Sequence, residues 1–169
     1  MTLLITKAWA MPSKNTFTIK PIRQIVEKYA HGIIVDPFAN SSKIATITND
    51  LDPAFDTDYN LDALDFLKIL QNNSANTVLY DPPFSPRQVS DCYRKMDRTV
   101  NKETTQKSFW AKLKREITRV IMPQGIVISA GWNSGGIGKK LGFEQIEILL
   151  VAHGGGRNDT IVTIERLGR

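Results

Sequence analysis

Three short runs of aliphatic and β-branched residues, each closed by an acid, most constrain what this chain can fold into. Ile33-Ile34-Val35 stops at Asp36-Pro37, Ala45 to Thr48 stops at Asn49-Asp50, and Thr77-Val78-Leu79-Tyr80 stops at Asp81-Pro82-Pro83. Runs of this kind, bounded by turn residues, read as buried strands. Proline ends a strand because it has no N–H for the ladder and holds φ fixed. Around the runs the apolar spacing turns helical. Ile22, Ile25, Val26 and Tyr29 share one face of a helix over 18–30, with Pro21 in its first turn and His31-Gly32 at its end. Phe38 to Ser42 reads as a turn into a short helix capped by Asn40 or Ser41. A short strand is expected near 57–59, a helix over 61–70 with Asn60 or Asp62 near its start, and another over 87–95. The spacing of Phe109, Trp110, Leu113, Ile117, Val120 and Ile121 predicts a longer helix over 105–122, broken by Pro123-Gln124-Gly125. Strands follow over 126–129, 144–152 and 160–165, the last two joined by Gly154-Gly155-Gly156 as an antiparallel hairpin.

Strands alternating with helices imply an α/β fold: a mostly parallel central sheet, helices on both faces, and an antiparallel C-terminal hairpin strand. Ligands of such sheets sit beyond the carboxyl ends of the strands. Asp36, Asp50, Asp62 and Asp81 therefore gather at one rim. Converging carboxylates repel one another, so a ligand that uses them is the expected reason for the arrangement.

Composition narrows the class. With 169 residues, 41% hydrophobic and 23% charged, residues 1–169 suit a single globular domain. One cysteine, Cys92, excludes an internal disulfide and points to a reducing compartment. Two histidines without a cluster give no basis for a metal site. No run approaches the ~18 apolar residues of a membrane span, and the apolar start, Met1 to Ala10, lacks a basic leader, so it reads as a strand or loop. A cytoplasmic protein, with no membrane partner, is the expectation. Charge is unevenly laid out. Residues 85–119 hold ten Lys and Arg against four acids, whereas 36–65 hold seven Asp against Lys43 alone. A basic stretch directly after the Asp81 turn suits a polyanion such as nucleic acid.

The Asp81-Pro82-Pro83-Phe84 corner carries its own chemistry. A carboxylate, a stiff turn with main-chain carbonyls to spare and an aromatic ring suit a flat group bearing an NH₂. The acid and one carbonyl each accept an amino hydrogen while the ring stacks on the plane.

Asp81 to Phe84 after a strand resembles the catalytic motif of S-adenosylmethionine-dependent amino-methyltransferases, especially those acting on adenine N6 in DNA. Asp36-Pro37-Phe38-Ala39-Asn40-Ser41 resembles their cofactor motif, usually Asp-Pro-Phe-x-Gly-Ser-Gly. Asn15 to Pro21 looks like the segment that such enzymes place around the methionine end of the cofactor. The resemblance runs from about Phe17 to Glu165 and implies a Rossmann-like methyltransferase fold, S-adenosylmethionine as cofactor, and methyl transfer to an exocyclic amine. It assigns Asp81, Pro82, Pro83 and Phe84 to catalysis. Cofactor contacts fall to Phe17, Thr18, Lys20, Asp36, Pro37, Phe38, Asn40, Ser41, Asp50, Asp62 and Ala63. Asp50 would meet the ribose hydroxyls or serve as a turn cap, and Asp62 the adenine amino group or a helix N-cap. Phe38 would pack on the cofactor or fill the core. Main-chain donors of the Asn40–Ser42 turn, and Lys20, would face the cofactor's carboxylate.

The chain departs from the pattern in two places. Asn40 and Ser42 stand where glycine or another small residue is usual. Asp81 follows Asp36 by 45 positions, which leaves no room between them for a separate target-recognition region. Base reading then falls to a mobile basic substrate loop over 85–108, to the Gly131–Gly142 stretch, or to a separate specificity partner. Arg87, Arg94, Lys95, Arg98 and Lys102 are the candidate phosphate contacts on DNA. Two alternatives stay open: a ribosomal-RNA guanine-N2 methyltransferase, and an inactive nucleic-acid-binding protein of the same shape. Trp132 walls the pocket or belongs to the core, His153 reads as a turn residue, and the Gly135-Gly136-x-Gly138 cluster lacks the setting of a phosphate-binding loop.

Overall fold

The computed structural model describes residues 2–95 and 107–168. Seven strands form one sheet: β1 (Leu4–Trp9), β2 (Ile34–Asp36), β3 (Ile47–Thr48), β4 (Ala75–Tyr80), β5 (Ile121–Gly131), β6 (Phe143–Ala152) and β7 (Thr160–Leu167). Their order is β1-β6-β7-β5-β4-β2-β3. All pairings are parallel except those of β7, which runs antiparallel to both β5 and β6. This is the mostly parallel sheet with an antiparallel hairpin strand that the alternation of elements predicts.

Among the described residues, helices α1 (Lys20–Tyr29), α2 (Ala63–Ile69), α3 (Pro86–Lys95) and α4 (Lys107–Val120) pack around the sheet. Side chains alternate across the sheet with period two. Val35, Val78 and Val127 pack with Phe66, Leu67, Leu113 and Ile117 of α2 and α4 in one cluster. Leu79, Ile128, Val151 and Ile164 pack with Ile22, Ile25 and Val26 of α1 in the other. The central strands β4 and β5 are thus apolar in both directions, which is why their runs in the sequence are nearly continuous. Arg119 of α4 donates to the carbonyls of Leu67 and Leu70 at 2.8 and 2.9 Å. It satisfies the carbonyl end of α2 and fixes the turn into β4.

Three local expectations are corrected. Phe38 to Ser42 forms turns, not a helix, because Asn40 adopts a left-handed φ of 54° that a helix cannot continue. The strand near 57–59 reduces to a single parallel bridge between Asn49 and Tyr59. The long helix ends at Val120, and Ile121 and Met122 already belong to β5. Pro123-Gln124-Gly125 lies inside that strand, where Gln124 takes a φ of 64° opposite a register shift between Ala75 and Thr77. Pro123 and Gln124 are solvent-exposed, so the missing N–H costs no buried hydrogen bond and the strand resumes after the irregularity.

The chain steps from β2 outward to β3 and then returns past β2 to β4. The strand order reverses there, so the carboxyl ends of β2 and β4 flank a crevice. Asp36 ends one strand and Asp81 follows the other.

Candidate active site

That crevice is a cavity of about 920 Å³. Asp36, Asp50, Asp62 and Asp81 all line it, as do Pro37, Phe38, Asn40, Ser41, Ala63 and Phe17. Pro82, Pro83 and Phe84 close its other side. Thr18 and Lys20 do not line it. Thr18 turns its hydroxyl to the Asn15 carbonyl at 2.6 Å, and Lys20 is exposed at the start of α1. The 3₁₀ turn Thr16–Thr18 drives Phe17 into the core and leaves Lys14, Asn15 and Thr16 on the cavity instead.

The turn after β2 is built by hydrogen bonds from its N–H groups to the acids Asp36 and Asp50. Asp36 is 1% exposed, and its carboxylate accepts from the Phe38 N–H at 3.0 Å. Asp50 accepts from the Asn40 N–H at 2.8 Å and from the Asp52 N–H at 3.0 Å. Asn40 thereby holds the left-handed conformation that glycine usually supplies, which Asn tolerates better than other side chains. The Ser42 N–H goes to the Ala39 carbonyl at 2.9 Å. Of the main-chain N–H groups in the Asn40–Ser42 turn, only that of Ser41 has no acceptor among the described residues. Asp50 acts as a turn cap here, with lone pairs to spare.

Asp62 caps α2 through the Leu64 N–H at 2.9 Å and also accepts from the Tyr93 hydroxyl of α3. Helix α3 therefore reaches over the α2 side of the cavity. Phe38 is half-buried, its ring 6.2 Å from that of Tyr80, and so serves cavity and core together.

The rim is electrostatically unbalanced. Burial pushes the Asp36 carboxyl up to about 8, and the charges of Asp81 and Asp50 add to the shift. Burial pushes Asp81 up to about 6, while a hydrogen bond from the Thr16 hydroxyl pulls it back down. Asp50 is also raised by burial, against the two backbone N–H groups that lower it. No Lys or Arg among the described residues pairs with any of the three. The buried Oδ1 of Asn15, another cavity residue, has no partner among them either. Unpaired buried acids and an orphaned acceptor suit a ligand with positive charge and N–H donors.

The proline corner is held from two sides. The indole N–H of Trp110, on α4, donates to the Pro83 carbonyl at 3.0 Å. The Pro82 carbonyl has no donor among the described residues. The Phe84 N–H donates to Gln88 Oε1 at 2.6 Å, and the Gln88 N–H donates to Ser85 Oγ at 3.2 Å. Ser85-Pro86-Arg87-Gln88 carries the Ser-x-x-Gln signature of a capping box with proline in the first turn, plain in the sequence, although the Gln88 side chain reaches back to Phe84, one residue before Ser85. Trp110 had no such signal, since its helical spacing reads equally as core. Arg87, Arg94 and Lys95 lie exposed on α3, with Lys95 at the cavity. Arg98 and Lys102, and residues 96–106 of the expected 85–108 loop, lie outside the described residues.

The glycine-rich stretch after β5 is filled from within. Buried Glu165 accepts from the Ile137 and Gly138 N–H groups at 2.6 and 3.0 Å. Gly136 has a φ of 51°, and a Cβ there would lie 2.2 Å from the Glu165 carboxylate. These amides are therefore committed to a carboxylate of the chain itself.

No family model matches the chain, and no curated protein matches it in sequence. Solved structures do. Over 94% of this chain and 92% of that one, it superposes on yhhF from Escherichia coli, described as a methyltransferase, with a TM-score of 0.55 and 11% identity. The N-methyltransferase NodS from Bradyrhizobium japonicum gives 0.57 at 6% identity, over 89% and 93% of the two chains. The fold is the methyltransferase fold. TrmN from Thermus thermophilus also gives 0.57, at 13% identity over 88% of this chain, which spans 47% of that one. NodS is also known in complex with S-adenosyl-L-homocysteine. At these identities the likeness establishes the methyltransferase fold alone; the site's chemistry rests on its own residues.

Proposed function

We propose that the protein transfers a methyl group from S-adenosylmethionine to an exocyclic amine of a nucleobase, adenine N6 in DNA. The observation that carries this is the pairing of an acidic rim uncompensated among the described residues with a proline corner whose Pro83 carbonyl is occupied and whose Pro82 carbonyl has no donor among them. Asp36 and Asn15 Oδ1 hold the ammonium of the cofactor's methionine end, the Ser41 N–H faces its carboxylate, and Asp50 keeps lone pairs for its ribose. Bound there, S-adenosylmethionine supplies a methyl group activated on a positively charged sulfur.

The target nitrogen is a poor nucleophile because its lone pair is delocalised into the ring. Asp81 and the Pro82 carbonyl each accept one amino hydrogen and localise that lone pair. The carboxyl of Asp81, raised to about 6, takes the proton the nitrogen releases. Phe84 stacks on the base, which contributes about 1–3 kcal/mol. A paired base cannot enter such a corner, so the target is unstacked or already single-stranded. Arg87, Arg94 and Lys95 hold phosphates, and binding weakens steeply with salt. The adenine assignment rests on the resemblance of Asp81 to Phe84 and of Asp36 to Ser41 to adenine N6 enzymes.

The test is to incubate DNA with the protein and methyl-labelled donor, digest it, and quantify N6-methyladenine. Label in guanine of RNA instead would move the substrate and keep the chemistry. Calorimetry without S-adenosylmethionine binding would remove the methyl donor and with it the reading.

A further inference from the structure

Trp132 follows β5 and is 45% exposed. Its ring lies 5.3 Å from that of Phe84, tilted by 56°. It does not border the main cavity. It lines a second one of about 330 Å³, with Arg157, Asn158, Asp159 and Ile161. Two large rings thus meet at an angle, and each lines a different hollow.

The β6–β7 turn that supplies the other wall is anchored. Buried His153 donates from Nδ1 to the Ala10 carbonyl at 2.7 Å, and its Nε2 lies 2.7 Å from the Thr160 hydroxyl. The Arg157 N–H closes the turn on the Gly154 carbonyl at 3.1 Å. Arg157, Asn158 and Asp159 are exposed on a base that is held at both ends.

We propose that this second cavity receives the nucleotide next to the target in the same strand. Its base stacks on Trp132, Asn158 and Asp159 face its edge, and Arg157 takes its phosphate. The proposal rests on the nucleobase reading above and extends it to sequence preference. Aromatic faces bind any base, but a carboxylate only accepts hydrogen bonds. Asp159 therefore favours a neighbour whose edge carries an amino group, adenine, cytosine or guanine, over thymine, which offers only its N3–H between two carbonyls. A strand splayed over the Phe84–Trp132 pair places successive bases on opposite sides of it, which keeps the target unstacked without a separate recognition region.

Two measurements test this. The first uses a single-stranded oligonucleotide with 5-iododeoxycytidine beside the target adenine, irradiated on the whole protein, with the adduct mapped by mass spectrometry. The expected adduct is on Trp132; adducts only elsewhere, or none, overturn the proposal. The second measures kcat/KM for Asn158→Ala. A fall of about 5-fold is expected on a cytosine-flanked substrate, with no fall on the same substrate flanked by abasic sites. Equal loss on both marks a structural role and overturns the proposal, as does no loss on either. If no DNA is methylated, the function proposed above fails, while the crosslink still decides whether this cavity holds a nucleotide.

Discussion

Glu147 and Asp36 are both nearly inaccessible carboxylates, 3% and 1% exposed, on opposite halves of one sheet. On β6, Glu147 accepts from Lys28 Nζ at 2.7 Å and from the Tyr29 hydroxyl at 2.6 Å, and its carboxyl lies below the ordinary range despite burial. On β2, Asp36 has one backbone donor and no cation among the described residues, and it is pushed up to about 8. The first acid is neutralised by the helix that packs over it. The second has no such partner among the described residues. A buried acid with its own partner is part of the scaffold, whereas one without marks where a cationic ligand belongs.

The sharpest break of that comparison is at the corner itself. Asp81→Ala is expected to lower kcat by about 10²–10³-fold or more, with the fold, followed by circular dichroism, and the affinity for S-adenosylmethionine largely unchanged. Loss of cofactor binding instead would move Asp81 to the cofactor. Next comes Asp36→Asn, expected to weaken S-adenosylmethionine binding by roughly 10–100-fold in calorimetry, the worth of one charge-assisted hydrogen bond.

The same substitution has a stability signature of opposite sign. Asp36 binds its proton more tightly folded than unfolded, so stability falls as pH rises from about 4 to about 8. Chemical denaturation should show that slope flattened in Asp36→Asn, with the variant the more stable one at pH 8. Glu147 behaves in reverse. Its carboxyl is lowered, so its stabilisation is present at neutral pH and is lost as pH falls below the ordinary glutamate range. Lys28 is half-exposed, which screens the pair, and Glu147→Gln should cost about 1–2 kcal/mol at pH 7 with methyl transfer intact. The smallest expected effect is that of Trp110→Phe. Freeing the Pro83 carbonyl removes one hydrogen bond and should lower kcat about 3–5-fold at unchanged KM; a change in KM alone would show that Trp110 acts on binding, not on the corner.

Much of this architecture was legible in the sequence because strand ends carry chemical punctuation. Asp36-Pro37, Asn49-Asp50 and Asp81-Pro82 told where three strands stop, and the switch in strand order then gathered their acids. What stayed hidden depends on pairings between distant segments. Nothing near Thr16 announces that its hydroxyl reaches Asp81, and nothing near Tyr93 announces Asp62. Pro123 misled in a definite way: proline stops a ladder only where its N–H would have been used, and at an exposed irregularity it does not. Asn40 misled the other way. As a departure from glycine it raised doubt about the cofactor turn, yet its backbone adopts the glycine-like conformation and the turn is formed.

Strand β1 carries a consequence for how the molecule is made. Thr6 pairs with Leu149, and Leu4 through Trp9 find their ladder only on residues 147–152. During synthesis this segment stays without its hydrogen-bonding neighbour until residues 147–152, roughly 140 positions further along, have emerged. Closing so long a loop is slow. Meanwhile the backbone N–H and C=O groups of this segment lack their partners, and it is the strand whose amides should be the last to gain protection from exchange.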